Sequence, residues 1–283
     1  MKFVKKLFGF SNESEMPEIV FGATDVGKIR KVNEDYFLVN SEKNLHIVAD
    51  GMGVHRAGEI ASLHATKAVD NYFTTKLLSK LKGNNEDIKD QMITCLSNAN
   101  RKIIDMAKTD REYDGMGCTI VVALVDRDTL HICHIGDARA YVSDHTGIKL
   151  LTTDHSRVMQ LVNDGKMTME EARKSPIKNE LTQAIGSPVS INPGYSHHTL
   201  KKRDKILLCS DGLWDMLSDQ KIYGILSQNR PARAICEELI EMANIAGGRD
   251  NITAVVVVHK GQEMPIERDF FYRTKNDFDI FLD

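Results

Sequence analysis

Three carboxylates stand at the ends of apolar runs. Asp50 follows the run in LHIVADGMG, Asp211 follows the run in KILLCSDGLWD, and Asp250 precedes the run in GGRDNITAVVVV. Taken singly, the pairs Asp50-Gly51 and Asp211-Gly212 read as turns, because glycine accepts positive φ after a strand. Three carboxylates converging on the ends of buried strands are a different matter. An unpaired buried carboxylate is costly, so such a group demands cations. The available donors are carboxylates and backbone carbonyls, hard oxygen ligands that suit Mg²⁺ or Mn²⁺ rather than Zn²⁺ or Cu²⁺. Gly51 has no Cβ, which lets backbone and metal waters come close. Two such ions about 3.5–4 Å apart bind and ionise a shared water and stabilise in-line displacement at phosphorus.

A phosphate also needs a positioned cation. The segment TDVGKIRKVNEDYF offers Arg30, with Glu34 and Asp35 just ahead of a strand. The guanidinium fork matches two phosphate oxygens; read alone, Arg30 is a solvated surface residue. Glu34 is placed to accept hydrogen bonds from metal waters. Asp35 reads as a turn residue or a structural hydrogen-bond acceptor. In HICHIGDARAYV, Asp137 follows a strand between Gly136 and Arg139, as a loop ion pair or as another metal ligand. The stretch Gly115-Met116-Gly117-Cys118-Thr119 reads as a tight turn packed near the site.

The elements that must hold these residues follow from hydrophobic patterning. Strands are expected over 36–40, 45–49, 119–125, 130–135, 140–143, 205–209 and 252–259. Helices are expected over 58–81, with a break near Thr74, over 86–108, and over 232–246, where Gly247-Gly248 gives the stop. The links after the third and fourth strands are short and imply antiparallel hairpins. This is no β-α-β alternation. The expected class is α+β, antiparallel sheets with long helices on their faces.

Residues 1–18 read as an extension and linker, ending in the polar SNESEMPE. Its basic-apolar start lacks the h-region and cleavage site of a secretory signal; it is a frayed terminus or a short amphipathic helix that touches a membrane or partner. The main domain is expected over 19–260, with a polar surface subdomain at about 155–186. The tail, 261–283, carries Phe270, Phe271, Tyr272, Phe278 and Phe281 among acidic residues, and is either poorly ordered or a docking segment.

A length of 283 residues allows one large domain or two small ones. The net charge of -3 gives no global attraction to nucleic acid. No apolar run reaches the roughly 20 residues of a membrane span. The five cysteines are odd in number and form no CxxC pair. They read as small buried hydrophobes in a reducing compartment, the cytoplasm, rather than as a zinc site. Cys209, beside Ser210 and Asp211, reads as core and not as a nucleophile.

Taken together and in order, TDVGKIRKVNEDYF, ADGMGVHRAGEIAS, GMGCT, HIGDARAYV, LTTDHS, NELTQAIG, LLCSDGLWD and GGRDNITAVVVV resemble the metal-dependent protein phosphatases of type 2C in their bacterial form. They span roughly 24–258. The resemblance implies a four-layer α-β-β-α sandwich, two antiparallel sheets flanked by helices, with two Mn²⁺ or Mg²⁺ in a cleft at one end. It implies that Asp50 bridges both ions and that the Gly51 carbonyl binds one. Asp211 and Asp250 bind the other, and Glu34 acts through water. Arg30 binds the phosphate. Asp137 matches the position that, with Asp211, holds a weaker third metal in bacterial members. Residues 155–186 match the flap beside the cleft. The implied reaction is hydrolysis of phosphoserine and phosphothreonine by a metal-bridging water, without a phosphoenzyme. The implied partners are phosphorylated proteins, among them a Ser/Thr kinase and its substrates.

The sequence departs from the family pattern at Val54, where bacterial members have the last glycine of Gly-Met-Gly-Gly, and at Ala138 and Cys118, where a hydroxyl is lost. None of these removes an implied ligand. Met52 stands where animal members carry a histidine proposed as general acid; His55 lies close by in sequence but not at that position. Two rivals are a docking module that has lost catalysis, which the retained carboxylates oppose, and a hydrolase of small phosphate esters.

Overall fold

The structure, a computed structural model, describes residues 19–53 and 57–261. The expectations for residues 1–18, Val54, His55 and the tail beyond Gly261 fall outside the described residues. Among the described residues, ten strands form two five-stranded sheets. One sheet runs β1 (Val20–Asp25), β10 (Ile252–Val258), β9 (Lys205–Cys209), β6 (Arg139–Ser143), β7 (Ile148–Leu150). The other runs β2 (Asp35–Asn40), β3 (Leu45–Met52), β4 (Gly117–Asp126), β5 (Thr129–Ile135), β8 (Gly194–Thr199). Every pairing is antiparallel.

Period-two side-chain alternation divides the core into three apolar layers. Val48, Val121, Ile132, Leu208 and Val255 meet between the sheets. Ile47, Ile120, Val122 and Cys133 face helices α1 (Ala57–Tyr72), α2 (Thr75–Leu81) and α3 (Asn85–Ala107). Leu207, Cys209, Ala254 and Val256 face α7 (Asp219–Leu226) and α8 (Ala232–Ile245). The result is the four-layer α-β-β-α sandwich expected. On α1 the buried face is Ala57, Ala61, Ala65 and Val69, small residues at helical spacing that allow close approach to the sheet. The break before α2 falls at Thr74, whose hydroxyl accepts from Leu77 N and caps the new helix.

Two expectations need correction. The hairpin expected between β5 and β6 does not form. These strands belong to different sheets, and the short link Gly136–Ala138 carries the chain across the sandwich. Gly136 has φ +92°, and a Cβ there would lie 2.5 Å from the Thr119 side chain, so the crossing depends on glycine. Nor does Asp50 follow its strand. β3 runs on to Met52, and Asp50 pairs in register with Asp35 on one side and Thr119 on the other.

The sequence patterning also passes over several elements. β1 was too close to the polar linker, and β7 has only three residues. β8 is a polar edge strand, GYSHHT. Two short helices, α6 (Asp211–Trp214) and α7, follow β9. The subdomain between β7 and β8 holds α4 (Arg157–Asn163) and α5 (Met169–Lys174). Lys178 pairs with Asp215, and Arg173 with Asp219 at 3.2 Å, tying it to the chain around α6 and α7.

Candidate metal centre

The inner faces of the two sheets change character at one end of the sandwich. Along β2, Phe37 and Val39 point between the sheets, so Asp35 does too. Along β3, Val48 points inward, and so does Asp50. Opposite them, Ser210 continues the inward series of β9 after Ile206 and Leu208, and Thr253 continues that of β10. The aliphatic layer therefore ends in carboxylates and hydroxyls.

Asp35 is the buried hinge of this layer. Its Oδ2 accepts from Ser210 Oγ at 2.7 Å and Thr253 Oγ1 at 2.6 Å. Behind Thr253, Asn33 Nδ2 donates to Thr24 Oγ1 at 2.8 Å, and Thr24 donates to Thr253 Oγ1 at 2.7 Å. One directed chain of hydrogen bonds thus joins the two sheets. Asp35 serves as the structural acceptor, one of the two readings its sequence allowed. Burial pushes its pKa up to about 7, against the pull of the two hydroxyl donors.

The other carboxylates crowd around it. Burial raises Asp50 well above the usual range, and its neighbours Asp35, Asp211, Asp137 and Asp250 add to the effect. Asp211, at the start of α6, is pushed up to about 6 by burial and by Asp250, while the nearby Asp50 carboxyl, as a donor, holds it down. Asp137 sits at the β5–β6 crossing, buried, and raised by burial, Asp211 and Asp154. Its backbone carbonyl accepts from Trp214 Nε1 at 3.0 Å. Trp214 in turn lies under the Arg139 guanidinium, 3.6 Å from its ring centre, and Arg139 is clamped by Asp154 at 2.7 and 3.0 Å. Arg139 thus supports Asp137 through Trp214, and although it is clamped by Asp154 its charge also partly offsets the rise in the Asp137 pKa.

Glu34 enters from the β1–β2 loop. Its carbonyl accepts from Gly51 N at 3.1 Å and Ser62 Oγ at 2.6 Å. Burial raises its carboxyl pKa, which Arg30 partly offsets. A Cβ on Gly51 would lie 2.1 Å from the Gly58 carbonyl oxygen, and one on Gly58 would lie 2.4 Å from Glu34 Oε1. The glycine at 51 is thus required by the backbone at the start of α1, a tighter constraint than the room for waters that the sequence suggested.

Asp250 leads into β10 and pairs with Arg30 Nη2 at 2.8 Å; the two side chains are 30% and 49% exposed. Sequence reasoning missed the residue beside it. Asn251 Oδ1 accepts from Glu34 N at 2.9 Å, and its Nδ2 donates to the carbonyls of Val26 and Val32 at 3.0 and 2.9 Å. This side chain holds the whole Arg30 loop against the Asp250 strand. Ser210 and Thr253 were likewise missed. An Asn directly after Asp250, and hydroxyls at the inward positions of apolar strands, were the signals available.

A divalent cation fits these residues. Glu34 Oε1, Asp35 Oδ1 and Asp211 Oδ1 are buried carboxyl oxygens with no hydrogen-bond partner among the described residues. Such oxygens are costly unless a cation or proton meets them. Among the described residues no three His, Cys, Asp or Glu side chains form a ready-made ligand set for one ion. Carboxylate and carbonyl oxygens are hard ligands that suit Mg²⁺ or Mn²⁺, which keep several waters and take one or two carboxylates each.

Comparison with known proteins decides the family. The sequence profile described as Protein phosphatase 2C matches residues 29–255, most of the chain. The chain belongs to the protein phosphatase 2C family. This protein phosphatase 2C is 37% identical over 238 residues to the protein phosphatase PhpP of Streptococcus pneumoniae, covering 83% of this chain and 94% of that one. Its fold matches the serine/threonine phosphatase of S. agalactiae with a TM-score of 0.77 and 35% identity, over 85% of this chain and 99% of the other. It also matches the catalytic domain of the serine/threonine protein phosphatase PstP in complex with two manganese ions, at TM-score 0.73 and 29% identity, over 86% and 99% of the two chains. No helix among the described residues is long and apolar enough to cross a membrane.

Proposed function

We propose that this protein phosphatase hydrolyses phosphoserine and phosphothreonine in proteins by direct attack of water, with no phosphoenzyme, at a centre holding two Mn²⁺ or Mg²⁺. The observation that carries the reading is the cluster of buried carboxylates at one end of the sandwich, with unpartnered oxygens on Glu34 and Asp211 and one flanking guanidinium, Arg30. Asp50, which interacts with both Asp35 and Asp211, would be shared by the two ions; the Gly51 carbonyl, Asp211 and Asp250 would complete the set, Glu34 would act through water, and Asp137 with Asp211 would offer a third, weaker position. The two manganese ions of PstP support that count. When bound, the ions supply an acidified water and positive charge for in-line displacement at phosphorus.

The chain's own residues do the rest. Arg30 meets Asp250 through one Nη2 and remains half exposed, so its remaining N–H groups face the solvent side, where a phosphate would enter. Asn251 keeps that loop in place. Thiol chemistry is disfavoured: the thiols of Cys118 and Cys209 are raised by complete burial, and that of Cys133 to about 12. Ser210 is equally unsuited as a nucleophile, because its buried hydroxyl is committed to Asp35. Five buried free thiols also suit a reducing compartment such as the cytoplasm. A Ser/Thr kinase and its substrates are the partners we propose.

Turnover of a phosphothreonine peptide, set against a nucleotide and a sugar phosphate, tests the substrate class. Preference for the peptide is expected. Equal or better turnover of the small esters would overturn the protein-substrate reading.

A further inference from the structure

The centre is acidic, yet one side of its rim is basic. The β1–β2 loop presents Lys28, Ile29, Arg30, Lys31 and Val32 as consecutive exposed residues. A run of surface cations is ordinarily a solvated face. This one is fixed. Lys28 N donates to the Gly248 carbonyl at 2.7 Å, and Asn251 grips the carbonyls of Val26 and Val32 on either side. The loop is thereby held against the turn that carries Asp250 and the exposed Arg249. Arg30, paired with Asp250, stands where this ridge meets the carboxylates.

The ridge is otherwise unused. Lys28, Lys31 and Arg249 make no ion pair among the described residues. Ile29 and Val32 are 68% and 46% exposed, among the most exposed large hydrophobics described. Rigidly held cations alternating with bare apolar side chains, beside the phosphate-binding arginine, have the makings of a recognition surface: apolar contact for affinity, charge for steering and selection.

We propose that the ridge Lys28–Val32 with Arg249 selects the protein substrate, favouring phosphorylated segments whose flanking residues are acidic and include an apolar side chain. This rests on the protein-phosphatase reading and adds a substrate class to it. Acidic flanks would complement the three free cations, and the apolar side chain would cover Ile29 and Val32. Exposed ion pairs are individually weak, so their combined selectivity is about tenfold.

The experiment compares kcat/KM for two phosphothreonine peptides of equal length, one with Glu and Leu flanks and one with Lys and Leu flanks. Para-nitrophenyl phosphate serves as the small-ester control. The Mn²⁺-loaded wild type, Lys31→Glu, Arg249→Glu and the double variant are measured at low and high salt. The wild type is expected to favour the acidic peptide about tenfold at low salt and less at high salt. The double variant is expected to lose or reverse that preference while its small-ester turnover stays within about twofold. Equal turnover of both peptides by the wild type would overturn the inference, as would a double variant that loses peptide and small-ester turnover alike. Failure on both peptides with full small-ester turnover would instead overturn the protein-phosphatase reading beneath it.

Discussion

Arg30 and Asp35 lie five positions apart in sequence and do opposite work. Arg30 is half exposed and pairs with Asp250 through Nη2 at 2.8 Å. Its loss should hardly affect folding, since exposed pairs contribute about 0–1 kcal/mol. Arg30→Lys removes the planar fork, so kcat/KM for a phosphopeptide is expected to fall about 10–100-fold with little change in Tm. Parallel kinetics and thermal melts check this; a large fall in Tm would mark Arg30 as structural. Asp35 is the reverse case. Asp35→Ala strands the hydroxyls of Ser210 and Thr253 in a buried layer. It is expected to cost about 2–4 kcal/mol of folding stability, measurable by urea titration. The sequence allowed both roles for Asp35 and none for Asn251. The value of Asn251 lies in carbonyls of Val26 and Val32, some 220 positions away along the chain, which no local pattern exposes.

At the scale of elements, the site depends on loops that cross from sheet to sheet. The β1–β2 loop brings Arg30 and Glu34, and the β5–β6 link brings Asp137. Asn251→Ala is expected to destabilise by about 2–4 kcal/mol and to raise KM more than it lowers kcat, because it frees the Arg30 loop without touching the reacting groups. A fall in kcat alone would contradict that role. The strands and the long helices were legible because their periods are strong. Thr74 as a break and Gly247-Gly248 as a stop follow from side-chain chemistry alone. The β5–β6 hairpin was misread because a short link between strands fits both a hairpin and a crossing. Only the contact of Gly136 with Thr119, fixed by tertiary packing, separates the two. The edge strands β7 and β8 were hidden because half-exposed edges carry little apolar signal.

The whole molecule stores carboxylates where its core should close. With pKa values raised to about 7 for Asp35 and about 6 for Asp211, the folded state holds protons more tightly than the unfolded chain. Their contribution to stability is therefore present at low pH and lost as pH rises through the folded values. The chelated protein is expected to lose Tm between about pH 5 and 8, and added Mn²⁺ should restore more Tm at pH 8 than at pH 5. A Tm that rises over this range in EDTA would contradict the clustering. The three carboxylates were visible in sequence as residues at strand ends. Their convergence was not; it came from the ordered resemblance and, in the structure, from the way Asp211 and Asp250 raise the pKa of Asp50, and Asp250 that of Asp211.

The most direct test of the account is turnover of a phosphothreonine peptide as Mn²⁺ is titrated into EDTA-stripped wild type, Asp50→Asn and Asp211→Asn. The stripped wild type should be inactive and recover fully with metal, and neither variant should recover more than about a hundredth of that rate. Full turnover by thoroughly chelated wild type, or full recovery by either variant, would contradict it.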